Sequence, residues 1–189
     1  MSALWDKRYQ KPLKPAKPCR VLTDNQYLLP PAQGLKSLDL ACGLGANALL
    51  LAKHGFESHA WDSSAVALEK CQMAASQQSL TVTTLQRDVE AQPPSPSSFD
   101  VIVVSHFLHR PSCGALVDAL RPNGLLFYQT FHQQKLSTAG PNREEFLLKR
   151  NELLDLFSAL NVLFYREDAQ TGDLSTGLRD LSYFVGQKP

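Results

Sequence analysis

Ser37-Leu38-Asp39-Leu40-Ala41-Cys42-Gly43-Leu44-Gly45-Ala46-Asn47-Ala48-Leu49-Leu50-Leu51 is the stretch that decides the fold. An apolar run reaches an acidic residue, then two closely spaced glycines, then an apolar pattern with helical spacing. This predicts a buried strand over 37–41, a tight turn, and a helix over 46–54 stopped by Gly55. Gly43 and Gly45 have no Cβ, so the backbone there turns sharply and comes close to a ligand. The unpaired N–H groups that open the following helix face the same ligand. Such a corner suits a nucleotide-like cofactor.

Working outward, strands and helices alternate from Lys36 to the end. Strands are predicted over 57–61, 81–86, 99–105, 125–131, 162–167 and 181–187. Ser63 or Ser64 caps a helix that runs to Gln77, and a short helix covers 113–120. The Val-Ile-Val-Val run at 101–104 reads as a strand buried on both faces. Residues 143–160 read as helical, with a break near Asn151, which caps a second helix. Before Lys36, a helix over 1–10 carries Trp5, Arg8 and Tyr9. Prolines 12, 15 and 18 make 11–18 an extended connector. Thr23 or Asp24 caps a short helix through Leu29, ended by Pro30-Pro31.

The fold class is therefore α/β: a doubly wound, Rossmann-like, seven-stranded sheet, mostly parallel with an antiparallel C-terminal hairpin strand. Residues 1–35 form an arm over the cleft, and 36–189 form the domain. Ligands in such sheets bind past the carboxyl ends of the strands, where strand order reverses, and the glycine turn lies there.

A chain of 189 residues suits one core and leaves little room for a second. With 43% hydrophobic and 20% charged residues it reads as a soluble globular protein. A net charge of +1 gives no electrostatic reason to expect nucleic acid or an acidic membrane as partner. Cys19, Cys42, Cys71 and Cys113 are far apart and form no C-x-x-C pair, so no metal site or disulfide framework is expected. No run is long enough to cross a bilayer, and the start has no apolar signal core. A cytoplasmic protein, monomeric or weakly homodimeric, is the expectation.

Three positions at successive strand ends describe an adenosine pocket. The first is the glycine turn. The second is Asp62, whose carboxylate accepts from both hydroxyls of a ribose. The third is Asp88-Val89, where Asp88 accepts from an adenine amine and Val89 offers a backbone N–H and an apolar face. The glycine turn also fits the dinucleotide pattern G-x-G-x-x-A, which keeps an NAD(P)-binding oxidoreductase open. Asp39 ahead of the glycines, Asp88 after the third strand and the C-terminal strand pair instead favour S-adenosylmethionine.

The chain resembles class I S-adenosylmethionine-dependent methyltransferases, and more narrowly the small bacterial tellurite-resistance (TehB)-like group. Trp5-Asp6-Lys7-Arg8-Tyr9, Leu38 through Asn47, Phe99 through Pro111 and Leu120 through Leu126 carry the resemblance. It implies that Asp39 lies near the methionine part of the cofactor. Arg8 and Tyr9 either fold over the cofactor, with Arg8 on its carboxylate, or form an ordinary surface helix turn. The resemblance further implies that Ala41, Gly43, Gly45, Ser63 and Ser105 line the cofactor, with Asp62 on the ribose and Asp88-Val89 on the adenine. Leu44 and Ala46 depart from the residues often seen in the glycine turn. This keeps open a non-catalytic relative that binds cofactor and acts through a partner. Asn123 replaces a more usual glycine, which is tolerable because Asn adopts the left-handed conformation.

The acceptor side is less defined. Ser105-His106-Phe107-Leu108 stands where amino and base methyltransferases often carry Asn/Asp-Pro-Pro-Tyr/Phe, so N-methylation of adenine, cytosine or glutamine is disfavoured. A small-molecule acceptor is expected, with His106 and His109 as candidate catalytic bases for a hydroxyl, thiol or acid. A loop hydrogen bond is the competing role for each histidine. Arg110 either binds an anionic substrate or pairs with a carboxylate. Residues 132–142 form a lid or a plain connection.

Overall fold

The computed structural model describes residues 2–11 and 16–189. Part of the predicted extended connector, residues 12–15, lies outside the described residues. Seven strands form one sheet: β1 (Lys36–Leu40), β2 (Glu57–Asp62), β3 (Val82–Gln86), β4 (Phe99–Ser105), β5 (Leu120–Phe131), β6 (Asn161–Arg166) and β7 (Leu181–Gln187). Their order is β3-β2-β1-β4-β5-β7-β6. The first five run parallel, and β7 pairs antiparallel with both β5 and β6. The helices are α1 (Ser2–Gln10), α2 (Arg20–Asp24), α3 (Ala46–Lys53), α4 (Ala65–Gln77), α5 (Cys113–Ala119) and α6 (Glu152–Leu156).

The period-two geometry of a strand divides its side chains between two cores. On β4, Ile102 and Val104 pack with Leu116, Leu153 and Phe157 on one face, while Val101 and Val103 pack with Val21, Leu22 and Leu51 on the other. A third cluster joins Ala48, Ala60, Cys71 and Ala75 where α3 and α4 meet the sheet. No helix among the described residues is long and apolar enough to cross a membrane.

Three expectations are corrected. The helix predicted to start at Thr23 or Asp24 and run through Leu29 starts at Arg20 and ends at Asp24, followed by a 3-10 turn at Gln26–Leu28. Its N-cap is Cys19, extended at φ −68 and ψ 146, and the Cys19 carbonyl accepts from Leu22 and Thr23 N–H. The helical stretch predicted over 143–160 shrinks to a 3-10 turn at Glu144–Phe146 and the single short α6. Leu147 and Leu148 are buried, and Leu148 exchanges backbone hydrogen bonds with Phe131 and Gln133 instead of continuing a helix. Asn151 does stand at the N-cap of α6, with φ 61. Finally, β5 begins at Leu120, not at 125, because Leu120 pairs with Phe99 before an irregularity restores register at Val101↔Leu125.

Asn123 takes φ 63, the left-handed conformation expected of it. The loop over 132–142 is pinned: Asp180 accepts from the N–H groups of Leu136 and Ser137 and from the Ser137 hydroxyl.

Candidate functional site

Strand order reverses between β1 and β4, which opens a crevice at their carboxyl ends. Both strands end there in left-handed backbone, at Ala41 (φ 54) after β1 and at His106 (φ 56) after β4. Each such non-glycine residue costs about 1 kcal/mol or more, and strain of this kind collects at functional sites.

The glycine turn is held from two sides. Gly43 N–H donates to Asp62 Oδ2 at 2.8 Å, and Ser64 N–H donates to Asp62 Oδ1 at 2.8 Å. The Asp62 carboxylate is buried, and burial pushes its pKa up while the backbone N–H groups of Ser64 and Gly43 pull it down. α1 lies over the turn. The Ser64 hydroxyl donates to Asp6 Oδ1 at 2.6 Å, and Lys70 donates to the Tyr9 carbonyl. A Cβ on Gly43 would stand 2.6 Å from the Tyr9 hydroxyl, so α1 closes directly on the glycine.

Asp39 lies deeper. Its Oδ1 accepts from Asn47 Nδ2 at 3.0 Å and its Oδ2 from Ala48 N–H at 3.2 Å, so the first turn of α3 grips the carboxylate. Burial pushes its pKa up to about 7, against the pull of those donors. Asp39 therefore titrates where most carboxyl groups are fully ionised. Cys42 sits in the turn beside both acids, and burial raises its thiol pKa well above the ordinary value, which disfavours the thiolate.

On the other side of the crevice, the Ser105 hydroxyl pairs with His106 Nδ1 at 2.8 Å. His106 N–H donates to the Gln129 carbonyl at 2.9 Å, and the His106 ring lies 5.3 Å from the Phe131 ring. Burial, and then the nearby Arg8 charge, lowers the His106 pKa, which keeps the imidazole neutral at pH 7. Arg8 itself stacks over the Trp5 ring at 5.3 Å. α1 thus reaches the glycine turn and the His106 side together.

His109 pairs through Nδ1 with the Ser112 hydroxyl in its own loop. Arg110 is fully engaged: two hydrogen bonds to Glu152 at 2.6 and 3.0 Å, and two more to the carbonyls of Glu145 and Leu147. It ties the β4 end to the α6 region, the second of the two roles expected for it. Asp88 is exposed, and its Oδ1 accepts from Glu90 and Ala91 N–H, closing a turn; Val89 beside it is buried. Ser63 is half-buried next to Asp62, and its carbonyl accepts from Gln86. Among the described residues, no group of three His, Cys, Asp or Glu converges as a metal site.

Sequence reading overlooked two buried amides. Asn47 Oδ1 accepts from Cys19 N–H at 2.8 Å, and Gln129 Oε1 accepts from Val21 N–H at 2.9 Å. For Gln129 there was a signal, a lone amide inside the apolar run 125–131.

A doubly wound sheet with this strand order and a glycine turn clamped by an acid from the next strand defines the class I methyltransferase fold. Residues 38–124 match the family described as a methyltransferase domain. Over that segment the chain is similar to methyltransferase domains. It is similar to ubiquinone biosynthesis O-methyltransferases of Methylocella silvestris (31% identity, 62% of this chain and 48% of that protein) and Coxiella burnetii (30% identity, 65% and 54%). The chain thus spans about half the length of these curated relatives. Among solved structures, TehB from Haemophilus influenzae shares the fold with a TM-score of 0.73 at 19% identity, over 100% of this chain and 67% of that one.

Proposed function

We propose that this chain transfers a methyl group from S-adenosylmethionine to a small molecule bound at the β4 end of the crevice. The observation that carries this reading is the clamp between Asp62 and Gly43, which joins an acid and a glycine turn at adjacent strand ends within a methyltransferase domain. The donor set fits the cofactor. Beyond its two backbone N–H partners, the Asp62 carboxylate has lone pairs left for ribose hydroxyls. Asp88 and Val89 take the adenine. Asp39 and Arg8 take the amine and carboxylate of the methionine part. Ala41, Gly43, Gly45, Ser63 and Ser105 complete the lining, and the described residues of the arm, 2–11 and 16–35, cover it.

When bound, S-adenosylmethionine supplies a methyl group on a positively charged sulfur. The chain supplies position and dryness: it holds the acceptor in line and excludes water. With Nδ1 engaged by Ser105, His106 Nε2 is left to take the acceptor's proton. His109 is the second candidate, but its Nδ1 is committed to Ser112. The O-methyltransferase relatives, together with a neutral imidazole, favour a hydroxyl as acceptor. The cytoplasm is the proposed location, with the chain acting as a monomer or weak homodimer and without nucleic acid.

Melting curves with separate ligands test the cofactor. At 100 times its Kd, S-adenosylmethionine stabilises by about 2.7 kcal/mol, a rise of roughly 5–10 °C for a chain of this size. A rise with NAD and none with S-adenosylmethionine or S-adenosylhomocysteine contradicts the reading.

His106→Asn tests the base. Asn tolerates the left-handed backbone, so the fold and cofactor affinity are expected to persist. Methyl transfer is expected to fall about 100-fold or more. For the wild type, the base is active only when neutral, and burial with the Arg8 charge lowers its pKa from the ordinary imidazole value. Activity is therefore level above pH 7 and falls on acidification through that pKa. A variant with wild-type turnover rules out His106 as base.

A further inference from the structure

We propose that Asn47 is a positioning residue whose amide joins the Asp39 carboxylate to the backbone root of the N-terminal arm, so that events at Asp39 set how firmly the arm is seated. The link is a chain of two buried hydrogen bonds. Asn47 Nδ2 donates to Asp39 Oδ1 at 3.0 Å, and Asn47 Oδ1 accepts from Cys19 N–H at 2.8 Å. Two residues further on, Val21 N–H donates to Gln129 Oε1 at 2.9 Å, and the Gln129 carbonyl accepts from His106 N–H. The arm root is therefore pegged twice across the crevice, once toward Asp39 and once toward the strand end that carries His106. Residues N-terminal to this root bring Asp6, Arg8 and Tyr9 to the site.

A charged carboxylate polarises the amide that donates to it, and a polarised amide accepts more strongly at its oxygen. Ionised Asp39 thus tightens the bond from Asn47 to Cys19, and protonated Asp39 loosens it. Burial brings that change near pH 7. The titratable groups facing Asp39 are Asp62 on β2, Cys42 in the glycine turn, Cys71 on α4, Cys19 at the arm root and Tyr9 on α1. Burial raises the three thiols and the phenol, which leaves them neutral at pH 7, so Asp62 is the only other acid in the set. The sign follows: arm protection rises as pH rises through about 7. A cationic amine held at Asp39 does the same at lower pH, and this last clause rests on the cofactor reading.

Amide hydrogen exchange on the cofactor-free protein tests the link, read as protection factors over residues 19–22 between pH 6 and 8. In the wild type, protection is expected to rise about twofold or more across this range, the size expected when a neutral hydrogen bond is strengthened by polarisation of its acceptor amide. Asn47→Ala is expected to abolish the rise. Cys19→Pro removes the same N–H without touching Asn47 or Asp39, at a residue whose φ of −68 proline already satisfies, and Cys19→Ala, which loses only the buried thiol, is its control. Gln129→Leu is expected to lower protection overall but to keep the pH step. Flat protection in the wild type, or a step that survives in Asn47→Ala and Cys19→Pro, overturns the proposal. Adding S-adenosylhomocysteine at pH 6 separates the two readings. Failure to bind counts against the cofactor, while the pH step alone judges the link.

Discussion

Asp62→Ala is expected to reduce affinity for S-adenosylhomocysteine more than 100-fold and to lower the melting temperature by about 10 °C. The affinity loss follows from removing the group proposed to take the ribose hydroxyls, a pair of charge-assisted bonds worth a few kcal/mol. The stability loss follows from the second duty of this carboxylate. It satisfies the N–H groups of Gly43 and Ser64, each at 2.8 Å, within a buried site. Leaving two buried donors unpaired costs roughly 3–5 kcal/mol, and each kcal/mol is about 2–4 °C for a chain of this size. Calorimetry and a melting curve on the same sample check both parts. A lower melting temperature with unchanged affinity shows that Asp62 only shapes the turn.

Gly45→Ala carries the other large effect. Gly45 stands at φ 72, and a Cβ there would lie 2.2 Å from Cys71 Sγ and 3.1 Å from Cys71 Cβ. Cys71 is fully buried where α3 meets α4, so it has no room to yield. Overpacking together with left-handed strain is expected to cost about 2–4 kcal/mol. Gly43→Ala makes the internal comparison. Its backbone is also left-handed, but the Cβ meets the Tyr9 hydroxyl, the far end of a flexible side chain on α1. Denaturant unfolding is expected to rank Gly45→Ala well below Gly43→Ala. Equal midpoints for the two variants contradict the packing argument.

The parallel part of the fold was legible because buried strands leave apolar runs and the helices between them begin at recognisable caps. The Val-Ile-Val-Val run splits its residues between two cores, and Ser64 caps α4 through its own hydroxyl, which accepts from Ala67 N–H. The acids at the ends of β1 and β2 were legible for the same reason: a carboxylate at the close of an apolar run needs a partner. What escaped was decided by residues distant in sequence. The N-terminus of α2 is fixed by Asn47 and Gln129, which lie 28 and 108 residues from the groups they bind. The predicted helix over 143–160 gave way because Leu147 and Leu148 bury themselves against the end of β5. The left-handed turn at His106 has no local signature, since histidine has no need of that conformation. The second duty of Asp62 was likewise invisible, because nothing in the local sequence shows the Gly43 N–H pointing at it.

The measurement that bears most directly on this account is a crystal structure with S-adenosylhomocysteine bound. It is expected to show the ribose hydroxyls on Asp62, the adenine against Val89, and the homocysteine end between Asp39 and the glycine turn, with its sulfur facing His106. An adenosyl group seated elsewhere, or a crevice still closed by Tyr9 at millimolar ligand, would contradict it.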